Sequence, residues 1–526
     1  MTVPAPVPTP GGHPAAGART PWRGHVRVAV LGAGFSGLAM AAALRQEGET
    51  DLVVLERADG VGGTWRQNTY PGAACDIRSD LYSFSFAPNP GWRSLYAGQA
   101  EIRDYLERTV DDLGLRPHLR LGTELLQARW DDTAALWRLR TDRGTWTAEV
   151  LVSGAGPLVQ PRWPAIPGLD RFTGPRFHSS DWDHDVDLDG VRAGVIGTGA
   201  SAAQLVPHVR RRTSHLTVFQ RTAPWVVPRG DRGTSRLRRS VFARLPALQR
   251  LSRAVVFRRN ELTHLALAHR RVGRLLERLA LAHLHRQVAD PALRRALTPA
   301  YRLGCKRLLV SDDYYPALAQ DDVTLSTEPV VAVTPTGVRT ADGTHHDLDV
   351  LICSTGFLAT EPPVARLLVG RDGRSLTEHW AEGGMQALRG TTVAGFPNLV
   401  LLVGPNTALG HNSIVHVVES QVEHTLALLA RARTGLAPGE RVVLEPTAQA
   451  QQRWSQRMRA DLEGSVWVSG GCSSFYLDAR GRNTTLWPHR AAAFRRALRR
   501  PDPAEHHRRV VAPTVQMETR AAVHVP

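Results

Sequence analysis

Apolar and polar segments follow one another in the same order at two places in the chain. An apolar run at residues 25–31 predicts a buried strand, residues 38–46 have helical spacing, and residues 51–56 form a second apolar run. The same order recurs between residues 191 and 221. Because a strand, a helix and a further strand in this order form a βαβ unit, the pattern predicts two such units and an α/β fold.

A glycine-rich turn follows the first strand of each unit. The first turn reads Gly32-Ala-Gly34-Phe-Ser-Gly37 and the second reads Gly197-Thr-Gly199-Ala-Ser-Ala202. Glycines at a strand–helix turn let the backbone approach a pyrophosphate, whose charge is stabilised by the N-terminus of the helix. One such turn is a weak signal, but two in matching surroundings predict two dinucleotide cofactors in one chain.

The residue at the end of the second strand differs between the two units. Glu56 stands there in the first unit, and a carboxylate at this position binds ribose hydroxyls, so this unit is predicted to bind FAD or NAD. Gln220 replaces it in the second unit and is followed by Arg221 and Thr222. A carboxylate would repel a 2′-phosphate, whereas a guanidinium and a hydroxyl bind one, so the second unit is predicted to prefer NADPH.

Residues 235–300 combine Leu, Ala and Arg at helical spacing with few glycines or prolines, which predicts two to four amphipathic helices. Residues 229–307 hold 20 Lys+Arg and four Asp+Glu, and so account for the whole net charge of +16. We expect the helices to cover a pocket, while weak association of 235–300 with a membrane surface stays open as an alternative. No nucleic-acid motif accompanies the charge, so nucleic acid is not an expected partner.

Composition limits the remaining classes of protein. A hydrophobic content of 42% is ordinary for a globular protein, and no apolar run approaches the roughly 18–20 residues of a transmembrane helix. The beginning of the chain has no secretory-signal pattern. The four cysteines are far apart and form no Cys-x-x-Cys pair. This spacing predicts neither a disulfide framework nor a metal site, and it indicates a reducing cytoplasmic location.

Two longer motifs resemble those of a known family. The stretch Gly62–Asp76 carries glycine, tryptophan, Tyr-Pro-Gly and aspartate in the family's order, and Phe172–Asp183 resembles its FxGxxxHxxxW motif. Both resemble type I Baeyer–Villiger monooxygenases, which are class B flavoprotein monooxygenases of the flavin-containing monooxygenase superfamily. The resemblance covers about residues 25–495. Related N- and S-oxygenating enzymes usually end the second motif in another aromatic residue, so Trp182 favours the Baeyer–Villiger enzymes.

The resemblance implies an activity and roles for four residues. NADPH would reduce FAD, and the reduced flavin would react with O2 to a C4a-peroxyflavin that inserts one oxygen atom next to a ketone carbonyl, giving an ester or lactone. Arg307 would stabilise the negative charge, and Asp76 would hold Arg307 in place. Lys306, the single lysine of the chain, would bind the 2′-phosphate together with Arg221.

The resemblance also implies a domain organisation: two dinucleotide-binding, Rossmann-like domains, with the NADPH domain inserted in the FAD domain. The predicted divisions are a disordered N-terminal tail at 1–24, the FAD-binding domain at 25–160 and 356–497, a linker at 161–190, the NADPH-binding domain at 191–355 with a helical insertion at 232–300, and a disordered C-terminal tail at 498–526.

The predicted catalytic residues are Arg307 and Asp76. The residues predicted to bind cofactors are Gly32, Gly34, Phe35, Ser36, Gly37, Glu56, Gly63, Thr64, Trp65, Asp76, Tyr82, Leu125, Gly197, Thr198, Gly199, Ala200, Ser201, Ala202, Arg221, Thr222, Lys306 and Arg307. The linker residue His178 is expected to form a hydrogen bond between the domains rather than to act in catalysis. Phe475 stands where the family usually has tryptophan, and it is left out of the predicted site for that reason.

Two other functions stay open. An enzyme of the same fold could oxygenate a nitrogen or sulfur atom through the protonated hydroperoxyflavin. A catalytically silent binding protein could also keep the fold. The substrate and the oligomeric state cannot be derived from the sequence.

Overall fold

A computed structural model describes residues 22–512 of the 526-residue chain. The strands are β1 Trp22–Leu31, β2 Leu52–Leu55, β3 Leu119–Arg120, β4 Leu125–Asp131, β5 Leu136–Thr141, β6 Gly144–Ser153, β7 Arg176–His178, β8 Arg192–Ile196, β9 His215–Phe219, β10 Val226–Val227, β11 Leu309–Val310, β12 Val323–Ser326, β13 Val330–Thr334, β14 Gly337–Thr340, β15 His345–Asp347, β16 Val350–Cys353, β17 Leu368–Val369, β18 Leu399–Leu401, β19 Arg441–Pro446 and β20 His506–Val511. The helices are α1 Phe35–Gln46, α2 Thr64–Gln67, α3 Gln99–Asp112, α4 Ala200–Arg210, α5 Arg236–Arg244, α6 Pro246–Ala268, α7 Arg270–Gln287, α8 Pro291–Ala296, α9 Tyr314–Leu318, α10 Leu376–Trp380, α11 Ile414–Arg433, α12 Ala448–Glu463, α13 Val466–Ser469 and α14 Ala491–Leu498.

The larger sheet combines strands from the two parts of the first domain, which come before and after the second domain in the chain. Its strand order is β17-β4-β5-β6-β1-β2-β3, and β18 pairs with β6. Strand β1 is parallel to both β2 and β6, as expected for a βαβ unit, and it is buried in the core together with α1. Strands β17 and β18 follow the whole second domain in the chain and return to this sheet. The predicted insertion of one dinucleotide-binding domain within the other therefore agrees with the strand order.

The second sheet is entirely parallel, in the order β12-β9-β8-β16-β7. Strands β8 and β9 with α4 form the predicted second βαβ unit. Strand β7, which carries His178, lies within the region 161–190 that the sequence predicts to be a linker. This part of the linker is an edge strand of the second domain, and its three residues are too few to show a strand pattern in the sequence.

The inserted region and the C-terminal segment differ in how well the sequence predicts them. Four helices, α5 to α8, occupy residues 236–296, in agreement with the predicted helical insertion. The prediction of a disordered tail from 498 is wrong for β20, which pairs along its whole length with β19. Strands β19 and β20 are joined by backbone hydrogen bonds, which do not depend on the side chains. The Arg- and His-rich composition of β20 therefore gave no indication of a strand. The predicted N-terminal tail at 1–24 is likewise wrong for residues 22–24, which belong to β1, and the remaining tail residues 1–21 and 513–526 lie outside the described residues.

One pair of cysteines departs from the spacing argument, which predicts no disulfide framework. Cys305 and Cys472 form a disulfide with their Cα atoms 6.1 Å apart, whereas Cys75 and Cys353 are buried free thiols. Cys305 and Cys472 are 167 residues apart in the chain, and nothing in the sequence indicates that they pair, because contact in space depends on the tertiary fold. Between residues 22 and 512, no helix is both long and apolar enough to cross a membrane.

The disulfide predicts how many thiols react under denaturing conditions. Alkylation without reductant should modify Cys75 and Cys353 only, and alkylation after reduction should modify all four cysteines, as measured by intact mass. The Cys472→Ser variant is the matched control, because Cys305 should then react without reductant. Four modifications in the unreduced parent protein would show that the pair is open.

Candidate active site

In the first glycine turn, two backbone segments lie so close together that there is no room for a side chain between them. Gly32 has φ +90°, and a Cβ on Gly37 would lie 1.8 Å from the Gly32 carbonyl oxygen. Helix α1 begins directly after this turn, with Gly34 as its N-cap. The carboxylate of Glu56 is buried and accepts hydrogen bonds from the backbone N–H groups of Ala33, at 2.6 Å, and Ala58, at 2.9 Å. The predicted ribose-binding carboxylate therefore lies beside the turn.

The motif after Glu56 folds back onto this turn. A Cβ on Gly34 would lie 3.4 Å from the Cα of Gly63, so two glycines let the segments touch. Trp65 Nε1 donates to the hydroxyl of Tyr82 at 3.0 Å, and the ring of Phe35 packs edge-on against Tyr82 at 5.0 Å. The structure thus brings three of the predicted cofactor residues, Phe35, Trp65 and Tyr82, into one aromatic wall next to the turn.

The remaining predicted residues of the first unit are placed as follows. Thr64 begins the short helix α2, Ser36 is buried in the first turn of α1, and Leu125 begins β4. Leu125 packs against the core, and Thr123, two residues before it, donates its backbone N–H to the Glu56 carbonyl oxygen at 2.8 Å. The role of Leu125 in binding a cofactor stays a prediction.

The second glycine turn follows the same construction. Gly197 has φ +114°, and a Cβ there would lie 2.3 Å from the Ser354 carbonyl oxygen, whereas a Cβ on Gly199 would meet nothing within 4 Å. Helix α4 begins at Ala200, so Ser201 and Ala202 form its first turn. Thr198 Oγ1 donates to the carbonyl oxygen of Thr222 at 3.0 Å, which ties the turn to the end of β9. The open space at Gly199 faces the N-terminus of α4.

A pair of cations lies beside this second turn. Burial and the positive charge of Arg221 both lower the pKa of Lys306, although the two residues are far apart in the sequence. The ammonium group also lies 5.1 Å from the centre of the Tyr301 ring. Neither cation forms a salt bridge with a carboxylate among residues 22–512. Two neighbouring cations without an acidic partner form a favourable site for a phosphate.

Asp76 and Arg307 form the ion pair that the sequence predicts. The Oδ2 atom of Asp76 lies 2.7 Å from Nε and 2.6 Å from Nη2 of Arg307. The nearby carboxylate raises the pKa of Arg307 above its ordinary value, so the guanidinium stays protonated. Asp76 contacts the Nε–Nη2 edge of the guanidinium, so the Nη1 donors take no part in this ion pair.

The segment that carries Asp76 is anchored on the second domain. Tyr70 donates its hydroxyl hydrogen to Oε1 of Gln204 on α4, at 2.8 Å, and Gln204 Nε2 donates to the Ala74 carbonyl oxygen at 2.9 Å. A Cβ on Gly72 would lie 2.7 Å from the Gln204 carbonyl oxygen. Only glycine therefore allows this close docking. The sequence analysis missed Gln204, because a polar residue on a helix carries no signal of what it contacts.

Arg307 is also contacted from the C-terminal part of the chain. Burial raises the pKa of Tyr476, and the neighbouring guanidinium of Arg307 opposes that rise. The Cys305–Cys472 disulfide joins the segment before Lys306 and Arg307 to the loop before Tyr476. Phe475, which is 42% exposed, packs against Tyr476 with the ring centres 4.3 Å apart and the rings tilted by 42°. Tyr476 is therefore a site residue that the sequence analysis did not identify.

The side-chain hydrogen bonds of His178 that the structure gives with a distance lie within its own segment, and the hydrogen bond between domains stays a prediction. Its Nδ1 accepts from the Ser180 backbone N–H at 3.2 Å and lies 2.8 Å from the Ser180 hydroxyl, both within the same segment. Burial lowers its pKa from 6.5 to about 4, so it is neutral at pH 7. Trp163 and Phe357 flank the imidazole ring. The residue is a packing element at the edge of the second sheet.

The residues present fit FAD and NADPH. At the first turn, the positive φ of Gly32 and the contact of Gly37 with the Gly32 carbonyl keep the turn tight at the start of α1, and the carboxylate of Glu56 is held beside it. At the second turn, the space in front of Gly199 is open, and the buried Oε1 of Gln220 has no hydrogen-bond partner in the described chain. The fold and the site together define a flavoprotein that uses two dinucleotides.

Comparisons with known proteins agree with this class. The model of the flavin-binding monooxygenase-like family matches residues 25–369. A Baeyer–Villiger monooxygenase of Streptomyces coelicolor is 49% identical over 483 residues, 92% of each chain. A second one, of Pseudomonas aeruginosa, is 45% identical over 486 residues, 92% of this chain and 91% of the other. The chain therefore belongs to the flavin-binding monooxygenase-like family, among its Baeyer–Villiger monooxygenases, which confirms the resemblance inferred from the motifs.

Solved structures show the same likeness. An oxidized steroid monooxygenase bound to NADP superposes with a TM-score of 0.79 at 32% identity, covering 90% of this chain and 97% of that one. A cyclohexanone monooxygenase from Rhodococcus sp. Phi1 bound to NADP+ superposes with a TM-score of 0.81 at 29% identity, covering 91% and 97%. The predicted α/β fold class is thereby confirmed.

The buried histidines predict a loss of stability in acid. His178, His264, His416 and His424 each have a pKa lowered by burial to about 4. Between pH 6.5 and about 4 the unfolded chain binds more protons at these groups, so stability falls as the pH falls through this window. The Tm should fall between about pH 7.5 and about pH 5, and the fall should be smaller in His178→Asn. His285→Gln, an exposed histidine of α7, should reproduce the parent curve, and an identical fall in both variants would contradict the assignment.

Proposed function

We propose that this protein is an FAD- and NADPH-dependent monooxygenase that inserts one oxygen atom from O2 next to a ketone carbonyl and so forms an ester or lactone. The observation that carries the proposal is the Asp76–Arg307 ion pair where the two nucleotide domains meet. The Baeyer–Villiger names of relatives at 49% and 45% identity support the same activity.

The two glycine turns divide the cofactors between the domains. The first turn and Glu56 would hold FAD, together with Trp65 and Tyr82. The second turn and the N-terminus of α4 would hold NADPH. When bound, the flavin supplies the redox chemistry that activates O2, and the nicotinamide supplies the hydride. The chain supplies the positions of these groups and excludes water from between them.

Arg307 acts on the charge that develops as oxygen is transferred. The guanidinium is held protonated by Asp76, and its Nη1 donors stabilise negative charge on the transferred oxygen and on the former carbonyl oxygen of the ketone. Because Asp76 fixes the orientation of the guanidinium before the reaction, no reorganisation is needed in the transition state. Tyr476 packs beside Arg307 and limits its movement.

Lys306, Arg221 and Thr222 select NADPH over NADH by binding the 2′-phosphate. The support for this assignment is that the two cations lie close together at the end of β9 without a carboxylate partner among the described residues. Gln220 occupies the position of the ribose-binding carboxylate and brings no charge that would repel the phosphate.

The cellular location remains a prediction. We place the protein in the cytoplasm, where NADPH is available, as the cysteine spacing suggested. The disulfide between Cys305 and Cys472 is uncommon for a reducing compartment. The number of reactive cysteine thiols in protein purified without oxidant therefore tests both the cytoplasmic location and the Cys305–Cys472 disulfide.

Substitution of Arg307 tests the proposed reaction. Arg307→Ala should lower kcat for ketone oxidation by about 100-fold or more, because a preorganised cationic donor is lost. The measurement is ester or lactone formation by mass analysis, coupled to NADPH consumption. Arg295→Ala, an exposed arginine of α8, is the matched control and should behave as the parent protein.

The same variants separate this reaction from heteroatom oxygenation. Sulfide oxidation should survive in Arg307→Ala to a greater extent than ketone oxidation. Unchanged ketone conversion by Arg307→Ala would show that the mechanism is wrong. A parent protein that oxygenates amines or sulfides but no ketone would instead assign the alternative activity.

Lys306→Met tests the selection of the cofactor. The variant keeps the length of the side chain but removes its charge, so KM for NADPH should rise about 10–100-fold while KM for NADH changes little. Steady-state kinetics with both nucleotides give the comparison, again with Arg295→Ala as control. Equal efficiency of the parent protein with NADH and NADPH would contradict the assignment.

A further inference from the structure

The helical insertion presents two different faces. The inner face of α6 is fixed to the first domain: Arg253 Nη1 donates to the carbonyl oxygens of Leu81, at 3.0 Å, and Ser83, at 2.8 Å. Val256 is buried on this side, and Phe257 packs on His416 at 4.8 Å. These contacts orient the helix and leave its opposite side turned away from the protein.

The opposite side of α6 carries an apolar stripe. Leu248, Leu251, Val255 and Leu262 are spaced by three, four and seven residues, which places them on one face at 3.6 residues per turn. These four side chains are between 43% and 64% exposed. Soluble proteins seldom leave a row of large apolar side chains in water without a partner, so the α6 stripe marks a surface that another structure covers.

Helix α7 repeats this arrangement. Val272, Leu275 and Leu279 have the same helical spacing and are between 42% and 59% exposed. The inner side of α7 is buried at Ala280 and Leu284, so this α7 stripe also lies away from the core. Two neighbouring helices of one hairpin thus each expose a row of aliphatic side chains.

Arginines accompany both stripes. By helical geometry, Arg258 and Arg259 lie on the two flanks of the α6 stripe, and both are exposed. The other exposed arginines of α5 to α7 are Arg236, Arg244, Arg250, Arg270, Arg271, Arg274, Arg278 and Arg286. No carboxylate between residues 22 and 512 forms a salt bridge with any of these ten arginines.

Acidic residues on these helices face the protein instead. Helices α5 to α7 contain two carboxylates, Glu261 and Glu277. Glu261 binds Asn412 at 2.9 Å and lies 3.1 Å from His411, and Glu277 accepts from the Leu303 backbone N–H at 3.0 Å. The outward surface therefore combines aliphatic side chains with uncompensated positive charge.

We propose that this surface of α6 and α7 binds the headgroup region of an anionic lipid bilayer. The leucine and valine side chains would enter the boundary between headgroups and acyl chains, while the flanking guanidinium groups bind lipid phosphates. A second copy of the chain is a poorer occupant, because it would bring two arginine-rich surfaces together without carboxylates between them. The helices lie on the bilayer and do not cross it.

Vesicle co-sedimentation of the full chain tests the proposal. The parent protein should bind phosphatidylcholine vesicles that contain about 30 mol% phosphatidylglycerol at least about tenfold more tightly than pure phosphatidylcholine vesicles. Binding should weaken several-fold when NaCl is raised from about 0.05 M to about 0.5 M, because salt screens the arginine charges.

Two sets of variants separate the apolar and charged contributions. The double variant Leu251→Gln/Leu262→Gln should lower vesicle binding by about tenfold or more, because two inserted side chains are lost. The double variant Arg258→Gln/Arg259→Gln should weaken vesicle binding and reduce its dependence on salt. Leu126→Gln/Val331→Gln, which changes exposed apolar residues on strands outside the insertion, is the matched control. Circular dichroism and bound-flavin content show that each variant is folded.

Three results would overturn the proposal. One is equal binding to neutral and anionic vesicles, and another is the absence of binding to both. The third is a concentration-dependent dimer of the parent protein that Leu251→Gln/Leu262→Gln abolishes in analytical ultracentrifugation, which would assign the surface to a second copy. Each outcome is independent of turnover, so failure here leaves the proposed oxygenation untouched.

Discussion

The contact between Asp76 and Arg307 depends on both nucleotide domains, because each residue is held by a segment anchored elsewhere. Asp76 follows a loop whose position is set by Tyr70 and by Gln204 of the second domain. Arg307 follows Cys305, which is bonded to Cys472 in the C-terminal part of the chain. A shift of one domain relative to the other would therefore change the distance on which the proposed chemistry rests.

The order of strands shows how the chain builds the second domain between two parts of the first. The chain leaves the first sheet after β6, builds the second sheet completely, and returns to the first with β17 and β18. In both domains the glycine turn follows a parallel strand at its carboxyl end, where ligands of such sheets bind. The inserted topology joins the domains by two chain crossings, which restrict their relative movement more than a single linker would.

The helical insertion packs with its inner face against the first domain, close to Tyr82. Its inner face forms charged contacts with the first domain: Arg238 binds Asp80 through both carboxylate oxygens, at 2.9 and 2.6 Å. Asp80 also accepts from Ser252 at 3.0 Å, so α5 and α6 share one buried carboxylate next to the loop of Tyr82. The insertion is therefore fixed to the segment that precedes Tyr82 of the aromatic wall.

The sequence by itself determined the features that depend on short-range backbone geometry. The glycine turns, Glu56 at the end of β2 and the helices of the insertion follow from local spacing and conformation, and the family motifs added Asp76 with Arg307 and Lys306 with Arg221. Only the tertiary structure decided the contacts of Gln204 and Tyr476, the Cys305–Cys472 bond and the β19–β20 pair. Those contacts join segments far apart in the chain, and whether they meet depends on the relative orientation of whole domains, which no local pattern encodes.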